Sequence, residues 1–274
     1  AYFIREQIGQ GGMGAVYLAE HETLRRKVAL KVLTLPKEGN AALSVERFLR
    51  EARSAAALDH PNIVRLHDVG KSGETHFLVM EFVEGNTLDQ IITKGGPISS
   101  SRAVEYIAQA AAGLQHACEK GFIHRDIKPA NLMLSKEGVI KILDMGLARP
   151  TDENADKLTE VMDKGAIVGT ADFISPEQAM NGTLDVRSDI YSLGATFYSL
   201  VTGQPPFTGQ DVLQMHISDK PPAVASLRPG APPEVDMVLA GCLAKDPAAR
   251  FQSAAQAGQA FLELEARLRP AGGA

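Results

Sequence analysis

The pattern of hydrophobic and polar positions divides the chain into two parts. In about the first eighty residues, short β-branched or alternating apolar runs are separated by Gly, Asn, Pro or charged turns, which is typical of β-strands. We predict five strands, at 2–10, 15–22, 27–33, 63–70 and 75–82. One amphipathic helix is predicted at 44–59, with apolar residues at helical spacing and Ser44 as its N-cap.

Helical periodicity replaces the strand pattern after residue 86. Predicted helices run at 101–121, 189–203, 211–219, 234–244 and 253–268, and a strand hairpin at 132–134 and 139–143. Gly121 is expected to end the first of these helices. The stretch 147–174 has few periodic apolar positions and is predicted as a loop. The sequence therefore predicts an α+β fold with a small β-rich lobe, a larger helical lobe, a hinge near 81–85 and a ligand cleft between the lobes.

Composition and charge exclude several classes of function. The chain has 274 residues, which suits one large domain or two lobes, and 45% of them are hydrophobic and 22% charged. A net charge of -5 gives no reason to expect nucleic acid as a partner. Two cysteines, Cys118 and Cys242, are too few for a disulfide framework or a zinc site, which fits a reducing compartment.

The longest uncharged stretch, 190–210, is long enough to cross a membrane. It contains several Ser and Thr residues and a Pro205-Pro206 break, so we predict a buried central helix there instead. No signal-peptide pattern opens the chain, and Ala1 stands where an initiator Met would. We therefore expect a cytoplasmic segment of a longer chain that itself makes no membrane contact.

A glycine-rich run joins the first two predicted strands: Gly9, Gln10, Gly11, Gly12, Met13, Gly14, Ala15 and Val16. Glycines accept positive φ and carry no Cβ, so the backbone of such a run can approach phosphate groups closely. A tight β-turn and a dinucleotide-binding fold are the alternatives. The dinucleotide-binding fold is disfavoured, because the run lies between two strands and not between a strand and a helix.

Lys31 lies in a predicted strand of aliphatic residues. Such a lysine either reaches the surface with its ammonium group or meets an anion inside the protein. Glu51 lies on the predicted helix, one stripe away from its apolar face. A buried pair of Lys31 and Glu51 beside phosphate groups accounts for both charges.

The densest group of candidate residues follows the helix at 101–121. Asp126 can accept a hydroxyl proton or orient the hydroxyl group, and Lys128 can neutralise charge on a transferring phosphoryl group. Asn131 and Asp144, on either side of the strand hairpin, offer oxygen ligands to a divalent cation. Each residue alone is more often a hydrogen-bonded structural group, but their joint order and spacing favour a site of phosphoryl transfer.

These motifs closely resemble the eukaryotic-like (Hanks-type) protein kinase family, especially its bacterial serine/threonine branch. The resemblance covers essentially the whole chain. It rests on the glycine run, Val28-Ala29-Leu30-Lys31, Glu51, His124-Arg125-Asp126 with Lys128 and Asn131, and Asp144-Met145-Gly146. Later landmarks that match are Gly169-Thr170, Ser175-Pro176-Glu177, Asp189 with Gly194, and Arg250.

The resemblance implies a bilobal protein kinase fold with ATP bound between the lobes. The N-terminal lobe and hinge (1–83) would hold a five-stranded antiparallel sheet and one helix, and the C-terminal lobe (84–274) would be mainly helical, with an activation segment at 144–177. The implied reaction transfers the γ-phosphoryl group of ATP to serine and threonine hydroxyls of protein substrates, the chain itself among them. Mg²⁺ is the implied metal, with Mn²⁺ as an alternative. Homodimers for autophosphorylation and membrane-anchored full-length proteins are common in the branch.

The resemblance also assigns a role to each site residue. Lys31 would hold the α- and β-phosphates and pair with Glu51. Asp126 would be the catalytic base, while Asn131 and Asp144 would hold Mg²⁺. The residues implied around the adenine ring are Ile8, Val16, Ala29, Met133, the gatekeeper Met80, and the backbone of Glu81 and Val83.

Two structural interactions are implied in the helical lobe. Glu177 and Arg250 would form a buried ion pair, and Asp189 would brace the backbone of the turn at 124–126. Lys128 and Thr170 point to serine or threonine acceptors, because tyrosine kinases usually carry a different pattern at the position of Lys128.

Three positions differ from the commonest family pattern: Met145 stands for Phe, Ser175 for Ala and Tyr191 for Trp. Ser is small and Tyr keeps most of the aromatic volume, so these two changes are mild. Met145 keeps an apolar plug but replaces a rigid ring with three flexible torsions. We expect it to alter the balance between active and inactive arrangements while the chemistry is kept.

The segment before Thr170 departs further from the pattern. Bacterial relatives often carry Thr or Ser about five to seven residues before the Gly-Thr pair, where this chain has Met162-Asp163-Lys164. One hypothesis is that Asp163 partly substitutes for the activating phosphate that Arg125 would contact. The other is that Thr151, Thr159 or Thr170 is the acceptor.

Two other functions stay open. A pseudokinase that binds nucleotide as a scaffold would usually lack one of Lys31, Asp126, Asn131 and Asp144, and all four are present. A small-molecule phosphotransferase of related fold is disfavoured by Thr170, Ser175-Pro176-Glu177 and the helical tail with Arg250, since the resemblance places these elements in a platform for peptide substrates.

Overall fold

The computed structural model describes residues 1–11, 14–33, 45, 49, 52, 56–145 and 171–268. Five antiparallel strands form the sheet of the N-terminal lobe: β1 (Tyr2–Gly11), β2 (Gly14–His21), β3 (Lys27–Val32), β4 (Leu66–Ser72) and β5 (Thr75–Glu81). Their order in the sheet is β1-β2-β3-β5-β4. The prediction of a five-stranded sheet is confirmed, with strand limits that differ by one or two residues except at β4.

The predicted start of the fourth strand was wrong. Ile63 forms an isolated parallel bridge with Ile142 of the helical lobe, and the backbone N–H of Val64 donates to the Ile142 carbonyl at 3.0 Å. Ile63 is 1% exposed and packs into the core of the helical lobe. An apolar run shows that a residue is buried but not which lobe buries it, so β4 begins only at Leu66.

The helix predicted at 44–59 is partly described. Val45, Leu49 and Ala52 are helical, and Ala52 packs beneath the sheet in a small cluster with Leu66 and Leu78. The predicted N-cap and Glu51 lie outside the described residues.

A second, three-stranded antiparallel sheet begins the C-terminal lobe. It contains β6 (Gly85–Thr87), β7 (Leu132–Ser135) and β8 (Ile140–Ile142), in that order, and confirms the predicted hairpin. Helix α1 (Leu88–Gly95) follows β6 and was not predicted. It begins with a capping box, in which Thr87 Oγ1 accepts from the N–H of Gln90 at 3.2 Å and Gln90 Oε1 accepts from the N–H of Thr87 at 3.0 Å.

The remaining helices occupy the predicted positions, with two short additions at α3 and α6. They are α2 (Ser100–Glu119), α3 (Pro176–Ala179), α4 (Val186–Thr202), α5 (Val212–Ser218), α6 (Val224–Leu227), α7 (Pro233–Leu243) and α8 (Ala254–Leu268). Single 3₁₀ turns lie at Pro129–Asn131, Ala171–Phe173 and Pro247–Ala249. Gly121 has φ of 81° just beyond the C-cap of α2, as expected for a glycine that ends a helix.

Helix α4 is the centre of the larger lobe. Residues 188–201 are buried on every side of the helix, which packs against α2, α7 and α8. Phe197 meets Phe261 edge to face, with ring centroids 5.0 Å apart. The prediction of a buried central helix is therefore confirmed. Among the described residues, no helix is both long enough and apolar enough to cross a membrane.

Candidate active site

The loop after α2 is held from below by the central helix. Both carboxylate oxygens of Asp189, on α4, accept backbone N–H groups at 2.7 Å, one from His124 and one from Arg125. Asp189 is 2% exposed, and this burial raises the pKa of its carboxyl group, while the two donors oppose the rise. The predicted brace beneath the turn at 124–126 is confirmed.

A second set of bonds ties the same loop to the strand that leads to Asp144. His124 Nδ1 accepts the backbone N–H of Asp126 at 3.2 Å, so Nε2 carries the ring proton and donates it to the carbonyl of Leu143 at 2.8 Å. The backbone N–H of Leu143 donates in turn to the carbonyl of Asn131 at 2.9 Å. These bonds fix the position of Asp144, one residue further on, relative to Asn131.

Asp126 lies between a cation and an amide. Lys128 Nζ is 3.1 Å from Asp126 Oδ1 and Oδ2, and Asn131 Nδ2 donates to Oδ2 at 2.9 Å and to the Asp126 carbonyl at 2.7 Å. The carboxylate is therefore oriented on one side while its side chain remains partly exposed. The structure brings together Asp126, Lys128 and Asn131, three of the five residues predicted to be catalytic.

Lys31 and Asp144 meet across the cleft between the lobes. Lys31 is 7% exposed, and its Nζ lies 2.7 Å from Asp144 Oδ1. The predicted partner Glu51 lies outside the described residues. Asp144 has φ of 50° and Arg125 has φ of 67°, both in the left-handed region that non-glycine residues seldom adopt. Two such residues in one site indicate backbone that is held in place by its surroundings.

The glycine run forms the hairpin between β1 and β2. Gly9, Gln10 and Gly11 lie opposite Val16, Ala15 and Gly14 in the strand register. Gly12 and Met13 fall outside the described residues. The run thus connects two strands. The prediction that it lies between two strands, and not between a strand and a helix as in a dinucleotide-binding fold, is confirmed.

The residues implied around adenine lie on both sheets. In the N-terminal lobe, Ala29 is opposite Met80 and Val16 is opposite Lys31, whereas Ile8 is 44% exposed on β1. In the second sheet Met133 is opposite Thr87. Val83 is partly buried in the connection from β5 to β6.

Glu81, at the end of β5, makes an ion pair with the other lobe. Lys141 Nζ, on β8, lies 2.8 Å from Glu81 Oε1 and 3.0 Å from Oε2. The backbone N–H of Arg65 donates to the same carboxylate at 3.2 Å. The sequence predicts a role for the backbone of Glu81 only, and no local motif indicates that its side chain pairs with Lys141.

Gln178 is a further residue that sequence reasoning missed. Its Nε2 donates to the carbonyl of Arg125 at 2.8 Å, while its Oε1 accepts from the hydroxyl of Ser175 at 3.1 Å. Ser175 is the N-cap of α3, and the pair forms a capping box. The spacing Ser-x-x-Gln was the available signal, and Ser175 thus has a use that the commoner Ala would lack.

The predicted ion pair of Glu177 and Arg250 is confirmed. Both guanidinium–carboxylate distances are 2.8 Å, and the side chain of Arg250 is 0% exposed. Ser188 Oγ donates to Glu177 Oε1 at 2.6 Å. Burial alone would raise the pKa of Glu177, but the bonds from Arg250 and Ser188 outweigh burial and hold the pKa below its usual range.

The fold and the grouped residues define a protein of the bilobal kinase class. Its β-rich lobe carries a buried lysine, and its helical lobe carries Asp126, Lys128 and Asn131 together with Asp144 at the end of a hairpin. The model of the protein kinase domain family matches residues 2–262. The chain belongs to that family.

The chain is similar to named bacterial kinases. It is 41% identical over 262 residues to the serine/threonine-protein kinase PknB of Mycolicibacterium smegmatis, across 93% of this chain and 41% of the relative. The PknB of Mycobacterium tuberculosis is 40% identical over the same shares. The serine/threonine-protein kinase PrkC of Bacillus subtilis is 37% identical over 256 residues, 92% of this chain and 39% of the relative. The chain thus spans about two fifths of the length of these relatives.

Proposed function

We propose that this chain transfers the γ-phosphoryl group of ATP to serine and threonine hydroxyls of protein substrates, itself among them. The observation that carries the proposal is the arrangement of Asp126 between Lys128 and Asn131, together with the pair of Lys31 and Asp144 that spans the cleft. The names of the relatives, all serine/threonine-protein kinases, support the acceptor class.

Asp126 acts on the acceptor hydroxyl. Its carboxylate orients the hydroxyl and takes its proton as the new phosphorus–oxygen bond forms. Lys128, 3.1 Å away, places positive charge beside the oxygens of the phosphoryl group in transit. Asn131 keeps the carboxylate in one orientation through its Nδ2.

Asn131 and Asp144 are the proposed metal ligands. The two bonds of Asn131 that hold Asp126 use its amide nitrogen, which leaves the amide oxygen for a hard cation. The carboxylate of Asp144 supplies a charged oxygen, so the donor set fits Mg²⁺, with Mn²⁺ as a substitute. When bound, the metal neutralises charge on the phosphate oxygens.

Lys31 is the proposed phosphate ligand in the N-terminal lobe, with Glu51 as its partner in the ATP-bound form. Its ammonium group now binds Asp144, which shows that it reaches the cleft floor. The glycine hairpin at 9–16 covers the phosphates, and Ile8, Val16, Ala29, Met80 and Met133, with the backbone of Glu81 and Val83, hold the adenine. We propose lobe limits of 1–83 and 84–274 and an activation segment of 144–177.

Incubation of the chain with γ-labelled ATP, Mg²⁺ and casein tests the proposal. The wild-type chain is expected to label itself and casein on Ser and Thr, and mass spectrometry of the chain identifies which of Thr151, Thr159 and Thr170 is modified. Asp126→Asn is expected to lower labelling by at least ~100-fold, because the base is lost while the ATP site is intact. Retained labelling in that variant, together with binding of ATP by both proteins, would remove Asp126 from the mechanism.

A further inference from the structure

A buried polar cluster lies beneath the end of the proposed activation segment. The hydroxyl of Tyr191, on α4, is 2.8 Å from Nδ1 of His216, on α5, and both residues are fully buried. Lys245 completes the cluster and donates to the Tyr191 hydroxyl at 3.3 Å and to the carbonyls of Met215 and His216 at 3.1 and 2.7 Å. Its ammonium group also lies 4.6 Å from the centroid of the Phe207 ring.

The hydrogen bonds fix where each proton lies. All three N–H groups of Lys245 are donated, so the Tyr191 oxygen accepts from Lys245. The Tyr191 hydroxyl proton then has His216 Nδ1 as its acceptor among the described residues. His216 is neutral near pH 7, because burial, aided by the charge of Lys245, lowers its pKa to about 4. A neutral ring that accepts at Nδ1 carries its proton on Nε2.

The Nε2–H of His216 is the unusual group in this cluster. It is buried and meets no acceptor of hydrogen-bond geometry in the described part of the chain. The backbone of Asp172 is close enough to counteract the lowered pKa of His216. Helix α5 packs against the turn Ala171–Phe173 that contains Asp172. A buried donor without an acceptor is costly, and a small shift of this turn would provide one.

The same turn is connected to the catalytic loop through α3. Ala171–Phe173 leads into α3, whose Gln178 holds the carbonyl of Arg125, next to Asp126. An acceptor hydroxyl that reaches Asp126 therefore lies close to the helix that continues from this turn. Helix α4 serves both sides, since Asp189 fixes the catalytic loop and Tyr191, two residues later, orients the ring of His216.

We propose that His216, oriented by Tyr191 and Lys245, is a positioning residue for protein substrates: its Nε2–H binds the carbonyl of Asp172 when the turn at 171–173 receives the acceptor chain. This inference rests on the proposed kinase function. It predicts an effect on the KM for protein acceptor that is separate from the KM for ATP.

Two matched variants of His216 test the proposal on the 274-residue chain. His216→Gln keeps an N–H donor near the place of Nε2, and His216→Asn keeps one only near the place of Nδ1. With casein as acceptor, His216→Asn is expected to raise the KM for casein about tenfold and to leave the KM for ATP within about twofold. His216→Gln is expected to recover most of the difference.

Amide hydrogen exchange at residues 171–173 gives a readout that does not need catalysis. With casein bound and without nucleotide, exchange in this turn is expected to be at least about fivefold faster in His216→Asn than in His216→Gln. Equal behaviour of the two variants in exchange and in the KM for casein would overturn the inference, as would a parallel rise in the KM for ATP. If the wild-type chain labels nothing, the proposed function fails, and the exchange comparison still decides the role of His216.

Discussion

The carboxylate of Asp144 can bind either Lys31 or the proposed Mg²⁺, and this competition leads to a prediction for a single residue. In the structure its carboxylate binds Lys31, whereas catalysis would require it to hold Mg²⁺. Asp144→Asn removes the charge that both interactions need. We expect the affinity for ATP in the presence of Mg²⁺ to fall at least about tenfold, with a much smaller change in the absence of metal. Calorimetric titration with ATP at several Mg²⁺ concentrations measures this.

The matched control is Asp89→Asn, the same chemical change at an exposed position of helix α1. It is expected to bind ATP and Mg²⁺ as the wild-type chain does. A loss of ATP affinity in Asp144→Asn that is equally large without Mg²⁺ would show that Asp144 acts through Lys31 and not through the metal.

The ion pair of Glu177 and Arg250 makes a prediction about stability. Glu177→Gln leaves the guanidinium of Arg250, which is 0% exposed, without its counter-charge. Breaking a buried pair from one side typically costs about 3–5 kcal/mol in the free energy of unfolding. Urea unfolding at pH 7 measures the loss. Glu20→Gln, which breaks the surface pairs to Arg5 and Arg25, is the control and should shift the midpoint little.

The same pair predicts a dependence on pH. The pKa of Glu177 is lowered in the folded protein, so its contribution is fully present above the unfolded-state pKa of about 4.3 and is lost as pH falls through the folded-state pKa. The difference in stability between the wild-type chain and Glu177→Gln should therefore narrow from pH 7 towards pH 3.5. A difference that stays constant over this range would mean that Glu177 does not titrate with folding.

The three departures from the family pattern show that the identity of a residue does not reveal which contacts its side chain makes. Met145 is 7% exposed and packs into the core of the helical lobe, as expected of an apolar plug. By volume, Ser175 and Tyr191 are mild replacements for Ala and Trp. Each nevertheless uses its hydroxyl group, Ser175 in a capping box and Tyr191 in a hydrogen bond to His216. Partners that lie far away in the sequence decide such roles, and His216 is 25 residues from Tyr191.

At the scale of elements, two glycines of the second lobe predict opposite effects of one substitution. A Cβ on Gly85, in β6, would lie 2.0 Å from the carbonyl oxygen of Leu134, so Gly85→Ala must push β6 away from β7. We expect a loss of at least about 2 kcal/mol in the free energy of unfolding. Gly95 is the last residue of α1, and no atom outside its own helix backbone and chain neighbours lies within 4 Å of the same position, so Gly95→Ala should gain about 0.5–1 kcal/mol.

Urea unfolding of both glycine variants against the wild-type chain measures the two effects. The pair shares the added methyl group and the loss of glycine entropy in the unfolded chain, so only the native contacts differ. If both variants are stabilised, the close approach of β6 to β7 at Gly85 is incorrect.

The elements that could be predicted are those with a strong period or a motif. The strands at 27–33 and 75–82 are short, mostly apolar runs, and the central helix has a long apolar run, so all three elements were placed within a few residues. Helix α1 is only 8 residues long and partly exposed, so its signals, the Thr87-x-x-Gln90 box and three apolar residues at 88, 91 and 92, span just two turns. The bridge between Ile63 and Ile142 could not be predicted, because an apolar pattern does not reveal which lobe buries the residue.

For the candidate site, the sequence indicated the residue types but not their contacts. Asp126, Lys128 and Asn131 lie within six positions of the chain, so their contacts could be expected from their spacing. The pairing of Lys31 with Asp144 joins residues 113 positions apart and depends on how the lobes close. Local patterns cannot report such a distance.

At the scale of the whole molecule, the lobes are joined behind the cleft by more than the covalent connection. Val64 shares backbone hydrogen bonding with Ile142, and Glu81 pairs with Lys141 on the neighbouring position of β8. Asp144 lies two residues beyond Ile142. The back of the cleft is therefore one continuous structure from the end of β5 to the proposed metal ligand.

Lys141→Met tests whether this connection tunes nucleotide binding. The variant keeps an unbranched apolar side chain but removes the ion pair with Glu81. Among the described residues, the backbone N–H of Arg65 is then the donor that remains to the Glu81 carboxylate. Because the backbone of Glu81 is proposed to bind the adenine edge, a looser Glu81 should weaken ATP binding about fivefold, equivalent to about 1 kcal/mol. The KM for protein acceptor should stay within about twofold, since the acceptor side of the cleft is untouched.

Lys136→Met is the matched control, because Lys136 makes an exposed ion pair with Glu84 at 2.7 Å, close to the same connection. It should leave ATP binding unchanged, since solvent screens a pair in which both side chains are more than half exposed. Equal ATP affinities for Lys141→Met and the wild-type chain would mean that the backbone pairing of Val64 with Ile142 holds the lobes by itself. An equal loss in both lysine variants would instead point to a general effect of charge on nucleotide binding, because the two substitutions remove the same charge from different places.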